Sequence, residues 1–231
     1  MSVEKSPQNI MTESSTLVPT ETVFKSRWSF WCAASPGRNS AASSSWEMKK
    51  LFSFSNLSEF WKHFNAMKAP SEFGHATVDV AVFREGVEPE WDHEPCSNGG
   101  RWGARMERVS SADSLDQAWM NLVLGAIGES ILDSNLSHHI MGVAYSSKGT
   151  NTRRIAMWID VREKDTVLAI GNAFKNNLRM ELSDKDIGEM LFHDFESGNK
   201  SFAVIANTGK KERKVKATKT TGGNHQQTSD E

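Results

Sequence analysis

The sequence predicts a single α+β domain: one antiparallel sheet, three helices packed on one of its faces, and the other face free. Three observations carry this prediction: three stretches with apolar residues at helical spacing, five short segments with strand alternation, and an order in which the two kinds do not alternate strictly. Leu57, Phe60, Trp61, Phe64 and Met67 fall at i, i+3, i+4, i+7 and i+10, predicting a helix over 57–68 that opens on a capping box of Asn56 and Glu59. Leu115, Ala118, Trp119, Leu122 and Ala126 repeat the pattern over 114–128, with Ser114 as the expected cap and Gln117 reaching back. A third helix starts near Asp165. Val167, Ile170, Phe174 and Leu178 share one of its faces, and Lys175 and Arg179 stand near its end, where the helix dipole favours cations.

The strand segments are SRWSFW, ATVDVAVF, GRWGARME, HIMGVAYS and RRIAMWIDV, and in the second of these Val78, Val80 and Val82 face one way. Turn clusters such as Ser97-Asn98-Gly99-Gly100 separate several of them, as antiparallel hairpins require. An antiparallel sheet covered on one side only presents its other face for binding.

A length of 231 residues suits one domain with tails. Residues 1–21 are rich in Ser, Thr, Glu and Pro, and residues 208–231 lack large apolar side chains, so both are expected to be disordered tails around a folded unit at 22–207. The stretch 32–45, CAASPGRNSAASSS, reads as a surface loop that delivers the chain to Trp46. With 27 basic and 29 acidic side chains the net charge is −2, which excludes attachment to nucleic acid by bulk positive charge. Two cysteines make no disulfide framework and no zinc spacing. With neither a secretory signal nor an 18-residue apolar run, the expected location is the cytoplasm, with the nucleus as a second compartment.

No phosphate-loop, dinucleotide, nucleophile-elbow or metalloprotease motif is present, so no catalytic residue, metal or cofactor is expected. The neighbours His138 and His139 are expected to point apart and to serve surface or capping roles. The dense signal is tryptophan, with eight beside a single tyrosine. Trp61 and Trp119 sit inside helical patterns, whereas Trp46 closes the Ser-rich loop and Trp91 lies in a turn-rich connector, followed at once by Asp92. A loop indole either folds back over the core or offers its faces for stacking, and an adjacent carboxylate can accept hydrogen bonds from a flat ligand's edge. Lys148, Arg153 and Arg154 flank a hairpin turn leading to Trp158, placed either as an ordinary solvated cluster or as a rim for phosphates.

These residues resemble a known family, eukaryotic translation initiation factor 4E, the messenger RNA cap-binding protein. The resemblance runs through Arg27-Trp28-Ser-Phe-Trp31, Ser45-Trp46, Glu59-Phe60-Trp61, Phe83-Arg-Glu-Gly-Val-Glu-Pro-Glu-Trp91, Gly99-Gly-Arg-Trp102, Leu115-Asp-Gln-Ala-Trp119, Ile127-Gly-Glu129 and Ile155-Ala-Met-Trp158. It implies a curved antiparallel sheet with three helices on its convex back. It further implies that Trp46 and Trp91 sandwich 7-methylguanine, Asp92 accepts from the base edge, Trp158 meets the N7 methyl, and Lys148, Arg154 and Arg101 hold the phosphates. On the convex face it implies a partner site at Phe24, Leu57, Trp61, Met120, Asn121 and Leu124 for an initiation factor 4G-like scaffold or a 4E-binding repressor.

Departures from the family pattern accompany the resemblance. Asp92 stands for a glutamate, Lys148 for an arginine, Thr22-Val23-Phe24 for His-Pro-Leu and Asn121 for an acid, which together imply altered cap affinity and a nonstandard scaffold. The expected function is recruitment of capped messenger RNA to the translation initiation complex by a protein that is monomeric outside that complex. The alternative is a translational repressor or interaction module of the same fold with weak cap binding.

Overall fold

The computed structural model describes residues 21–34, 47–74, 76–107, 109–148, 152–196 and, for the backbone, 200–204. The predicted tails but for Glu21, together with Trp46 and most of the Ser-rich loop, lie outside the described residues. The chain runs β1 (Val23–Ala34), β2 (Lys49–Asn56), α1 (Leu57–Phe64), β3 (Val78–Arg84), β4 (Gly100–Met106) and α2 (Ala112–Ile127). It continues through β5 (Ile140–Lys148), β6 (Thr152–Ile159), α3 (Lys164–Leu178), the single turn α4 (Asp184–Ile187), β7 (Met190–Asp194) and β8 (Lys200–Val204). The strands form one antiparallel sheet in the order β2-β1-β3-β5-β6-β4-β7-β8, with the three main helices on its convex side.

All five predicted strands are present, and β2, β7 and β8 are additional. In β2, Phe52 and Phe54 pack toward the core while Ser53 pairs with Ser29, an alternation only three residues deep behind two lysines. The helices start and stop differently from their sequence pattern. At α1 the Asn56 side chain accepts from the Glu59 N–H at 2.8 Å, but the Glu59 carboxylate reaches past Asn56 to the Ser55 N–H, also at 2.8 Å. The helix ends at Phe64, four residues early, and a tight turn at Pro70–Phe73 follows. The cap of α2 is Ser111, which accepts from the Ser114 N–H at 3.3 Å, so the expected cap Ser114 lies inside the first turn. Glu163 caps α3, accepting from the N–H groups of Asp165 and Thr166.

The main core fills the space between helices and sheet. Val78, Val80 and Val82 of β3, Trp102 of β4 and Val167, Ile170, Phe174 and Leu178 of α3 all lie within it. The docking of α3 is specific: Trp102 donates its indole N–H to the Val167 carbonyl at 2.9 Å, and a Cβ on Gly171 would stand 2.5 Å from the Trp102 ring. The Ile127-Gly-Glu129 string closes α2. Glu129 adopts φ 51° and its carboxylate accepts from Arg84 at 3.0 Å, tying the helix exit to β3.

On the concave side Glu85 joins three strands, accepting from Lys50 Nζ, Ser29 Oγ and Ser53 Oγ. The Lys50 ammonium, followed by the two hydroxyls, holds its carboxyl down to about 2 against a usual 4.5. A carboxyl depressed on folding stabilises the native state above its unfolded pKa and loses that contribution as pH falls toward its folded value. Urea midpoints of the parent protein should therefore fall between pH 4.5 and about 2 more steeply than those of Glu85→Gln. Parallel acid limbs for the two proteins would show that the network contributes nothing.

Candidate binding site on the concave face

The sheet register builds a trough. Across β3, β5, β6, β4 and β7 one row of concave-facing positions reads Phe83, Gly142, Trp158, Arg101 and His193, and two residues along the next reads Ala81, Ala144, Ala156 and Gly103. The row after that carries Asp79, Ser146, Arg154 and Arg105. A middle row of alanines and a glycine, flanked by rows that carry Phe83, Trp158, Arg101 and His193 on one side and Arg154 and Arg105 on the other, leaves a groove by geometry. Phe83 fits because Gly142 has no side chain: a Cβ there would lie 2.4 Å from the Phe83 ring. Phe83 in turn meets the edge of Trp158 at 5.4 Å, and Phe195 closes on the same indole at 4.7 Å.

This second, smaller apolar cluster also anchors the connector that follows β3. Val87 and Cys96 are buried in it beside Trp158, fixing both ends of the segment between them. What lies between is held out to solvent: Trp91 is 61% exposed, and Asp92 is exposed beside it. The groove enclosed by the strands and this connector has a volume of about 790 Å³ and is bordered by Met48, Trp91, Asp92, Arg101, Lys148, Arg154 and Trp158.

Every predicted cap-site residue among the described residues therefore borders one cavity, and Trp46 lies outside the described residues. The cations Arg101, Arg154 and Lys148 all come from the strands, with Asp79 of β3 beside them, while Glu90 and Asp92 come from the connector. Burial, and then the neighbouring Arg154 guanidinium, lower the Arg101 pKa, with Asp79 acting in the opposite direction. Arginine stays protonated under such pressure, so the strand side holds cations that an anion would relieve. The Arg101 guanidinium stands 5.7 Å from the Trp158 ring centroid, which fixes its direction along the groove. Trp158 itself is 6% exposed and forms part of the groove wall.

The sequence reading passed over the Ala81, Ala144 and Ala156 floor and the His193 and Phe195 end wall. Alanine at one parity of three separate strands was the available signal. His138 and His139 differ from expectation: their rings lie 4.0 Å apart instead of diverging, and His139 Nδ1 pairs with Asp160 at 2.7 Å. Among the described residues no group of three or more His, Cys, Asp or Glu is arranged to hold a metal ion, and no helix is long and apolar enough to cross a membrane.

On the convex side, Phe24, Leu57, Trp61, Met120, Asn121 and Leu124 are all half-buried, on β1, α1 and α2. Asn121 is engaged within the chain, donating Nδ2 to the exposed Glu181 carboxylate at 3.0 Å. An acid thus stands next to the position where the family pattern has one, on a different element.

The family model described as eukaryotic initiation factor 4E matches residues 23–213. The chain belongs to the eukaryotic initiation factor 4E family. Eukaryotic translation initiation factor 4E of Saccharomyces cerevisiae is 32% identical over 174 residues, covering 75% of this chain and 76% of that protein. The 4E-1 protein of Caenorhabditis elegans is 29% identical over 189 residues, covering 78% and 84%. Among solved structures, a complex of C. elegans eIF4E-3 with the 4E-binding protein Mextli aligns with a TM-score of 0.67 at 22% identity, covering 80% of this chain and all of that one. Ascaris suum eIF4E-3 with an m7G cap aligns with a TM-score of 0.66 at 23% identity, covering 81% and 99%. These two alignments establish the fold. As a member of this family of translation initiation factors, the chain is not an enzyme.

Proposed function

We propose that this initiation factor 4E protein binds the 7-methylguanosine cap of messenger RNA in the concave groove and passes the capped message to a scaffold through its convex face. The observation that carries the reading is the exposed Trp91 beside Asp92, opposite a strand wall bearing Arg101, Arg154 and Lys148. Methylation at N7 makes guanine cationic. A cation between the Trp91 and Trp46 indoles gains stacking and an attraction of about 2 kcal/mol or more when desolvated. Asp92 accepts from the N1 and N2 groups, which adenine does not present as donors. Trp158 lies at the methyl group, and the three cations take the phosphates, Lys148 as a point charge and the arginines as forks. Support comes from the Ascaris suum eIF4E-3 structures, which carry m7G and m2,2,7G caps, and from the Mextli complex, which shows a relative engaged by a 4E-binding protein.

Intrinsic tryptophan fluorescence should be quenched by 7-methyl-GTP and far less by GTP. Asp92→Asn should weaken 7-methyl-GTP about tenfold or more, as loss of charged hydrogen bonds implies, and Asp92→Glu should bind at least as tightly as the parent. Absence of quenching by both nucleotides would replace this reading with a repressor or interaction module that works through the convex face.

A further inference from the structure

A second cavity of about 160 Å³ lies on the opposite side of the sheet, between the end of α1, the Pro70–Phe73 turn, α2 and the convex face of β1, β3 and β5. Five aromatic side chains, Phe30, Phe64, Phe73, Trp119 and Tyr145, contribute to its wall. Their rings are mutually braced: Phe73 stacks on Tyr145 at 6.1 Å, Trp119 stands 6.3 Å from Tyr145, and Phe30 lies 6.1 Å from Phe64. Met67 and Met120 complete the apolar lining with flexible, polarizable side chains that can adapt to an occupant.

Two of the polar side chains at this cavity, Asp116 and Tyr145, are engaged within the protein, and the exposed Gln117 and Lys68 stand at its lining. Both Asp116 oxygens accept from Ser71, one from its N–H at 2.9 Å and one from its hydroxyl at 2.6 Å. The Tyr145 hydroxyl donates to the Pro70 carbonyl at 3.3 Å. None of the lining side chains has a buried polar atom without a partner. A water molecule needs about two to four polar contacts to be held, so this cavity favours an apolar occupant over solvent. Its size is close to the roughly 150 Å³ in which a dry cavity accommodates benzene.

We infer that this cavity is a binding site for a compact, uncharged, single-ring aromatic ligand. The inference is independent of the cap-binding reading, because the cavity lies on the other face of the sheet and shares no lining residue with the concave groove. Ring edges and faces on several sides offer offset and edge-on contacts to one more ring, and nothing in the wall compensates the desolvation of a charge beyond the occupied Asp116 and Lys68 at the lining.

The test is a 19F NMR titration of the full chain with fluorobenzene, with benzylammonium as the charged counterpart of similar shape. Fluorobenzene should bind saturably with a dissociation constant below about 1 mM, within the ceiling for so small a ligand, and benzylammonium should bind at least tenfold more weakly. Ala69 lines the cavity from the turn side, and Ala69→Phe fills it, so fluorobenzene affinity should drop at least tenfold while thermal unfolding stays cooperative. If that variant fails to fold, Phe73→Ala gives the complementary readout, because the enlarged cavity should favour fluoronaphthalene over fluorobenzene. No saturable shift in the parent would overturn the inference. So would equal binding by a folded Ala69→Phe, benzylammonium binding as tight as fluorobenzene, or an unchanged ring-size preference in Phe73→Ala.

Discussion

Trp91→Ala is expected to reduce 7-methyl-GTP affinity by more than about 30-fold, the equivalent of losing roughly 2 kcal/mol of cation–π and stacking attraction. Its thermal stability should remain within about 1 °C of the parent. Both expectations follow from one observation: the ring is 61% exposed while the connector that carries it is anchored by the buried Val87 and Cys96. Truncating an exposed side chain leaves no cavity, so the fold has no reason to respond. Affinity for unmethylated GTP should fall by less, because the neutral base loses stacking but has no cation–π attraction to lose. Trp46→Ala should behave in the same way if the two indoles act as a pair. Cap retention by either variant at parental strength would remove the stacking mechanism, whatever other contacts the groove makes.

Trp102→Ala is expected to act in the opposite manner, with a large loss of stability. The indole is fully buried, donates to the Val167 carbonyl, and lies 5.4 Å from Phe192, with Gly171 held open to receive it. Removing a buried tryptophan costs about 3–5 kcal/mol. At about 2–4 °C per kcal/mol for a domain of this size, the melting temperature should fall by roughly 6–20 °C. Trp102→Phe should recover part of the packing without the hydrogen bond, and Gly171→Ala should destabilise from the opposite side of the same contact. A shift below about 2 °C for Trp102→Ala, read by circular dichroism, would show that α3 is held to the sheet by other means. Since Arg101 precedes Trp102 on the same strand and faces the groove, cap affinity at a temperature where the variant is folded should be reduced as well.

These two tryptophans show what could be read from the chain. Trp102 lies in a segment that reads as a strand, and in the structure it shares the buried face with Ala104 and Met106, two and four residues on. Trp91 lies among turn residues next to an acid, a setting that left open whether the ring folds over the core or faces solvent, and the structure shows it exposed. The buried faces of α2 and α3 were legible for the same reason, since helical spacing is a property of a few neighbouring residues. The cap of α2 was not: Ser114 directly precedes the apolar run, yet Ser111, three residues earlier, takes the cap, since a serine hydroxyl serves at either position. The strands β7 and β8 are five residues each and carry too few alternations to stand out.

By itself, the sequence determined the α+β class, the faces of its helices, the strands with strong alternation and the tryptophans that border the concave groove. All of these depend on side chains close together along the chain, where period and turn chemistry act directly. Only the tertiary structure decided that Ala81, Ala144 and Ala156 line up as a groove floor, that Phe83 occupies the space above Gly142 to brace Trp158, and that Asn121 holds Glu181. The physical reason is register: strands some 60 to 75 residues apart in sequence choose their pairing by burying one face of the whole sheet at once. A single residue's local pattern carries no record of which side chain will be set beside it.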